Sequence, residues 1–147
     1  MTSAEPRTIA PKRILIVEDN DLNMRLLKDV LEAQGYCVAG AGEGEVAIRL
    51  ARRFAPDLIL LDIQLPDISG LEVSRRLKAD PATTSIPIVA VTAFAMAGDE
   101  RRALANGCDG YVTKPIMLPS FLRMVAQFAG APAAGIPLFP PPRAAAL

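Results

Sequence analysis

Four aliphatic runs in this chain stop abruptly at a polar side chain, and their alternation with amphipathic segments leaves few folds open. Residues 12–17 break into Glu18, Asp19, Asn20 and Asp21; residues 58–61 run into Asp62; residues 86–91, with Pro87 near the start, end in Thr92; and residues 110–113 end in Lys114-Pro115. A weaker run, 37–41, follows the first. Short continuous apolar runs suit strands covered on both faces. Between them, Asn23, Leu26, Leu27, Val30 and Leu31 recur at helical spacing, as do Val46, Ala47, Leu50, Ala51 and Phe54, then Leu71, Val73, Ser74 and Leu77, and finally Leu118, Phe121, Leu122, Val125 and Phe128 with Pro119 in the first turn. Residues 97–105 form a further helix whose apolar face is mostly alanine, predicted to be the most weakly held. Strand and helix therefore alternate, which makes this an α/β chain.

Local signals place the ends of these elements. Asp21 is the predicted N-cap of the first helix and Gly35 its stop, while Ala55-Pro56 closes the second. Leu65, Pro66 and Asp67 turn the chain after Asp62, and Ser69 with Glu72 has the form of a capping box opening the third helix, which ends near Asp80-Pro81. Crossovers of this length favour parallel, right-handed connections, so every strand's carboxyl end lies on one edge of the sheet. Ligands bind beyond that edge in such sheets. Glu18, Asp19, Asp62, Thr92 and Lys114 are predicted to converge there.

Taken alone, Asp62 is equally well read as an aspartate that hydrogen-bonds its own loop. The other strand ends favour a site. Three carboxylates brought together repel, and a cation relieves that repulsion. An all-oxygen donor set without His or Cys selects a hard ion, and so few protein ligands suit Mg²⁺, with Mn²⁺ as its substitute. Lys114 adds a fixed positive charge and Thr92 a hydroxyl donor. A pocket of this kind binds phosphoryl oxygens with Asp62 as the attacking group, since positioning and charge stabilisation supply most of phosphoryl-transfer catalysis.

From about Lys12 to Phe128 these residues resemble the receiver domains of two-component response regulators. The acidic pair Glu18-Asp19, Asp62 with its D-x-x-L-P-D-x-x-G continuation, Thr92 followed by Ala93, and Lys114-Pro115 all match the family's motif. The wording V-E-D-N-D-L-N-M, D-I-Q-L-P-D-I-S-G-L-E-V and V-T-A-F-A-M-A-G-D is most similar to single-domain members that control cell division, and receivers of hybrid kinases share some of it. The resemblance implies a flavodoxin-like sheet of order 2-1-3-4-5 with helices on both faces. It implies that Asp19, Asp62 and the backbone carbonyl of Gln64 bind the metal, with Glu18 acting through water. It further implies that Thr92, Lys114 and the Ala93 amide bind phosphate, that Lys114-Pro115 is cis, and that Tyr111 with Thr92 forms the switch. Tyr111 and Thr92 also suit ordinary packing in a strand. The function implied is that of a stand-alone phosphoacceptor, not an enzyme acting on a separate substrate. A sensor histidine kinase or histidine phosphotransferase supplies the phosphoryl group, and a downstream protein reads the surface of the fourth helix, fifth strand and fifth helix. Gln64 and Phe94 flank the site and bear on the lifetime of the phosphorylated form.

Two other classes are weighed against this one. A haloacid dehalogenase-type phosphatase also forms an aspartyl phosphate near Mg²⁺, but it uses D-x-D, and Gln64 stands where its general acid is required. A flavodoxin needs a phosphate-cradling loop after the first strand, and E-D-N-D opposes a bare phosphate.

Composition narrows the field further. The 147 residues, 51% hydrophobic, suffice for one domain with its own core. Lys plus Arg equals Asp plus Glu at 16 each, and the basic residues are scattered, so no nucleic-acid or anionic-membrane partner is expected. With no histidine in the sequence, Ser-His-Asp and Cys-His catalysis are excluded, and phosphohistidine must reside on another molecule. Cys37 and Cys108 read as small buried hydrophobes in a reducing compartment; no apolar run approaches 18 residues and the N-terminus lacks a signal peptide's apolar centre, so a cytoplasmic protein without membrane insertion is expected. The expected organisation is a flexible lead over 1–11, a receiver over 12–129, and a disordered Pro/Ala-rich tail over 130–147.

Overall fold

The computed structural model describes residues 10–93 and 97–132. Phe94, most of the lead and residues 133–147 of the tail lie outside the described residues. The elements run β1 (Arg13–Val17), α1 (Asp21–Ala33), β2 (Cys37–Ala41), α2 (Gly44–Phe54), β3 (Leu58–Asp62), α3 (Gly70–Ala79), β4 (Ile88–Thr92), α4 (Asp99–Ala105), β5 (Gly110–Thr113) and α5 (Leu118–Ala129). All neighbouring strands pair in parallel, in the order β2-β1-β3-β4-β5, the predicted flavodoxin-like topology.

Alternation along the strands divides the core in two. Leu15, Val17, Ile59, Leu61, Ile88 and Ala90 face one layer with Ala47, Ala51, Val73, Leu77 and Ala103, so α2, α3 and α4 cover that side. Ile14, Ile16, Leu58, Leu60, Val89 and Val91 face the other, with Leu27, Leu31, Phe121 and Val125 of α1 and α5. β3 and β4 are buried along their whole length, which explains their unbroken aliphatic runs.

Several local expectations are corrected. The N-cap of α1 is Asn20, whose side chain accepts from the Asn23 amide, and Asp21 is the first helical residue. On α1 the buried stripe is Leu27 and Leu31; Leu26 is 54% exposed because the predicted face is wider than the groove that receives it. Ser69 caps α3 through the Leu71 amide, yet the reciprocal half of the box is missing, since the Glu72 carboxylate is taken by Arg75 and Arg76. β4 starts at Ile88, not Ile86: Pro87 has no N–H to give the ladder, although its carbonyl accepts from Ile59. Cys108 is buried, but Cys37 is only half-buried on the edge strand β2. Gly35, at φ 102°, ends α1 as predicted, and Ala55 takes the left-handed conformation at the end of α2. The alanine-faced helix is short, with Ala103 its one buried residue, and it begins at Asp99, two residues after Ala97. No helix among the described residues is long and apolar enough to cross a membrane.

Candidate phosphoacceptor site

Register fixes which strand-end residues can meet. Val17 pairs with Leu61, so Glu18, the next residue after β1, lies level with Asp62. Asp62 pairs with Val91, and Val91 with Val112, so Lys114, two residues beyond Val112 and just past the end of β5, returns to the same face as Asp62. This is the α1/α5 face, since Ile16, Leu60 and Val91 belong to that layer. Thr92 is one residue beyond Val91 and takes the alternate face, the one shared by Ala90 and Tyr111.

The charged groups converge as this register requires. The Lys114 ammonium donates to Glu18 Oε1 at 2.6 Å and to Asp62 Oδ2 at 3.3 Å. Glu18 and Asp62 are nearly buried at 4% and 7% exposure, and the lysine side chain at 17%, so these charges meet where water screens them little. Asp19 is exposed, but one oxygen from each of Glu18, Asp19 and Asp62 lies within 4.8 Å of the others. Asp62 Oδ1 accepts from the Gln64 amide at 2.9 Å, and Glu18 Oε2 from the Asn20 amide at 3.2 Å.

Burial pushes the Asp62 carboxyl above the usual range and the charge of Glu18 adds to this, while the Gln64 amide and Lys114 pull in the opposite direction without overcoming it. For Lys114 burial favours the neutral amine, but the hydrogen bond to Glu18 and the two carboxylates prevail and its pKa is raised. Burial thus disfavours the ionised form of Asp62 even with the lysine beside it.

Those carboxylates fit a hard divalent ion: the donors are all oxygen, they sit close enough to share one centre, and Asp19 opens the cluster to solvent. The Gln64 side chain is exposed and has no acidic group to offer, and its backbone N–H is committed to Asp62. This removes the general acid that the dehalogenase-type reading needs.

The remaining predicted residues surround this centre at different depths. Thr92 is buried at the end of β4, and its carbonyl accepts from the Lys114 amide, tying the ends of β4 and β5 together beyond the ladder. Ala93 follows it, exposed. The Lys114-Pro115 bond is cis. Tyr111 is not part of the charged cluster. It packs half-buried against the α2/α3/α4 layer, its hydroxyl buried without a hydrogen-bond partner among the described residues, and burial with the nearby charges of Asp99 and Glu100 raises its pKa.

Two residues of the D-x-x-L-P-D-x-x-G continuation, Gly70 and Asp67, make contacts whose partners the motif does not name. Gly70 admits α3 against the strand end: a Cβ there would overlap the Asp62 carbonyl and lie 2.7 Å from Ile63 Cα. Asp67, expected only to turn the chain, reaches across to α2, where its Oδ1 accepts from the Gly44 amide at 2.8 Å and its Oδ2 from the Glu45 amide at 2.9 Å. Its position in a turn signals hydrogen-bonding use, but nothing in the local sequence names a partner more than twenty residues upstream.

The profile of the response regulator receiver domain matches residues 14–126. The chain is 51% identical over 120 residues to the polar-differentiation response regulator DivK of Brucella anthropi, a match spanning 82% of this chain and 98% of that protein. Among solved structures it is similar to the receiver domain of sensor histidine kinase PA1611 from Pseudomonas aeruginosa PAO1, crystallised with a magnesium ion in the active-site cleft (TM-score 0.76, 34% identity, 82% of this chain and 99% of that one). It is also similar to the Mn²⁺-bound form of response regulator Rcp1 (TM-score 0.67, 28% identity, 80% and 94% covered).

Proposed function

The chain belongs to the response regulator receiver domain family, and from that premise we propose that it acts as a stand-alone phosphoacceptor whose Asp62 takes a phosphoryl group from the phosphohistidine of a partner kinase or phosphotransferase. The observation that carries this reading is the buried Glu18–Lys114–Asp62 cluster with Asp19 at its open side, assembled from three strand ends. An Asp62 carboxylate oxygen attacks phosphorus, forming an O–P bond as the N–P bond to the partner's imidazole breaks and its electron pair returns to the ring. The donor histidine lies outside these 147 residues, which contain none.

Glu18, Asp19, Asp62 and the Gln64 carbonyl would hold Mg²⁺, or Mn²⁺ in its place, which supplies the positive charge that a buried carboxylate and an incoming phosphoryl group both require. Lys114 holds a second positive charge against Asp62 and pairs with a phosphoryl oxygen once the acyl phosphate forms. Thr92 and the Ala93 amide complete the set of donors to the remaining oxygens. The same groups support slow self-dephosphorylation, so the catalysis is confined to the protein's own modification.

Engagement of Thr92 by the phosphoryl group communicates with Tyr111, since both lie on the same face of the sheet. The readout surface comprises α4, β5 and α5, where Tyr111, Val112, Pro115, Met117 and Phe121 line a groove of about 310 Å³ suited to a protein ligand. The receiver spans residues 12–129, the lead and tail lie outside it, and the exchange takes place in the cytoplasm, where two free cysteines stay reduced. The kinship with DivK makes cell-division control the process served.

The test is phosphotransfer from purified, autophosphorylated histidine kinases of the host. Label is expected on the wild-type chain from at least one kinase and on none of the Asp62→Asn variant; equal labelling of that variant would refute the assignment.

A further inference from the structure

Between β3 and α3 the loop 63–69 carries Gln64, whose carbonyl completes the proposed ion site. Its near end is pinned to its own strand and helix, by the Gln64 amide on Asp62 Oδ1 and by the Gly70 amide on the Ile63 carbonyl at 2.7 Å. Ile63, Leu65 and Ile68 pack the loop loosely on the α2/α3/α4 layer. Asp67 adds the hydrogen-bonded contact to the body of the domain, with both carboxylate oxygens on the first amides of α2.

Three features indicate that this is a built contact. Glu43, the residue at the N-cap of α2, makes no capping bond with its own side chain, so the helix takes its cap from Asp67. Gly44 has no side chain, and a Cβ there would fall 2.6 Å from an Ile68 side-chain carbon, so the loop closes over α2 only because that position is glycine. The two amides hold the Asp67 carboxyl down at about 2, which keeps it ionised and accepting throughout the physiological range.

We infer that Asp67 is a positioning residue for the divalent-ion site: by clamping the loop to α2 it holds the Gln64 carbonyl in place for the ion bound by Asp19 and Asp62. The inference rests on the reading of the Asp62 site given above. Groups that orient ligands without touching the ion set its affinity, and their loss typically weakens binding by about 10–100-fold. The rate at saturating ion is left largely intact, because the reacting carboxylate and Lys114 are untouched.

The test uses the full chain and Mg²⁺ alone, titrated calorimetrically into the unphosphorylated wild type, Asp67→Ala, Asp67→Asn and Arg76→Ala. Arg76→Ala removes the neighbouring pairs to Glu45 and Glu72 on the same helices while leaving Asp67 in place, and so controls for general loosening of α2 and α3. Asp67→Ala is expected to raise the Mg²⁺ dissociation constant about ten-fold, Asp67→Asn, which keeps one acceptor oxygen, by less, and Arg76→Ala not at all. In parallel, phosphorylation of Asp67→Ala by a small phosphoramidate is expected to need more Mg²⁺ for half-maximal rate while reaching a maximal rate within about two-fold of wild type. Unchanged Mg²⁺ affinity in Asp67→Ala would overturn the inference and leave Asp67 as a helix cap only. Asp62→Asn that binds Mg²⁺ as tightly as wild type would instead overturn the ion-site reading, and the inference with it.

Discussion

Replacing Lys114 with methionine keeps the aliphatic stem that lines the groove beside α1 but removes the one ammonium bridging Glu18 and Asp62. Two carboxylates with 4% and 9% exposed side chains then face each other without that counter-charge. Removing one partner of a buried pair costs about 3–5 kcal/mol, because the other charge is left desolvated and unpaired. For a domain of this size about 1 kcal/mol lowers the melting temperature by about 4 °C, so a drop of roughly 12–20 °C is expected without divalent ion. Mg²⁺ at about 100 times its dissociation constant adds about 2.7 kcal/mol, or roughly 11 °C, to the wild type. The variant should gain more, since Lys114 no longer competes for Glu18 and Asp62 or repels the ion. Scanning calorimetry of both proteins with and without Mg²⁺ measures this directly. A deficit that is the same in both conditions, or a variant as stable as wild type in chelator, would refute the reasoning that Lys114 and the ion neutralise one shared pair of carboxylates.

Other expectations follow from the same contacts. Gly70→Ala drives a methyl group into the backbone of Asp62 and Ile63 and should cost about 1–3 kcal/mol in urea unfolding, with Mg²⁺ affinity falling as the strand end shifts. The Asp67 and Glu72 carboxyls are held at about 2, against ordinary values of 3.8 and 4.5, so ionised they stabilise the fold above those ordinary values. That stabilisation is lost as pH falls towards 2, and the urea midpoint of the Asp67→Asn, Glu72→Gln double variant should fall less over this window than that of the wild type. Tyr111→Phe removes a buried hydroxyl with no partner among the described residues, so chemical denaturation should show equal stability or a gain of about 1 kcal/mol; a loss of that size would show that the hydroxyl is bonded.

Much of this architecture can be read in the sequence because the inner strands are covered on both faces. Leu58–Asp62 and Ile88–Thr92 admit no polar residue until the sheet ends, so the position of Asp62 and Thr92 follows from the end of each run. Convergence of Glu18, Asp62 and Lys114 follows as well, because parallel pairing leaves one edge for all carboxyl ends. What escapes are competitions that local spacing does not decide. Glu72 had the right offset from Ser69 to complete a capping box, but two arginines within four residues bind it more strongly than a backbone amide. Asn20 and Asp21 are both good caps, and the choice between them rests on a single peptide's conformation, with Asn20 extended at φ −82° and ψ 117°. Leu26 has the period of a core residue but lines the open groove beside α1. Asp67 is the most consequential omission, since its partners Gly44 and Glu45 adjoin it only once α2 and α3 lie side by side on the sheet.

The central claim is that one carboxylate, Asp62, is the acceptor and that its neighbours serve it. Treat the chain with a small phosphoramidate in the presence and absence of Mg²⁺, reduce with borohydride, and map the modified residue by peptide mass spectrometry. Reduction at Asp62 alone, and only when Mg²⁺ is present, is the predicted result. Modification at Glu18 or Asp19, or modification of Asp62 that is indifferent to the ion, would contradict the account.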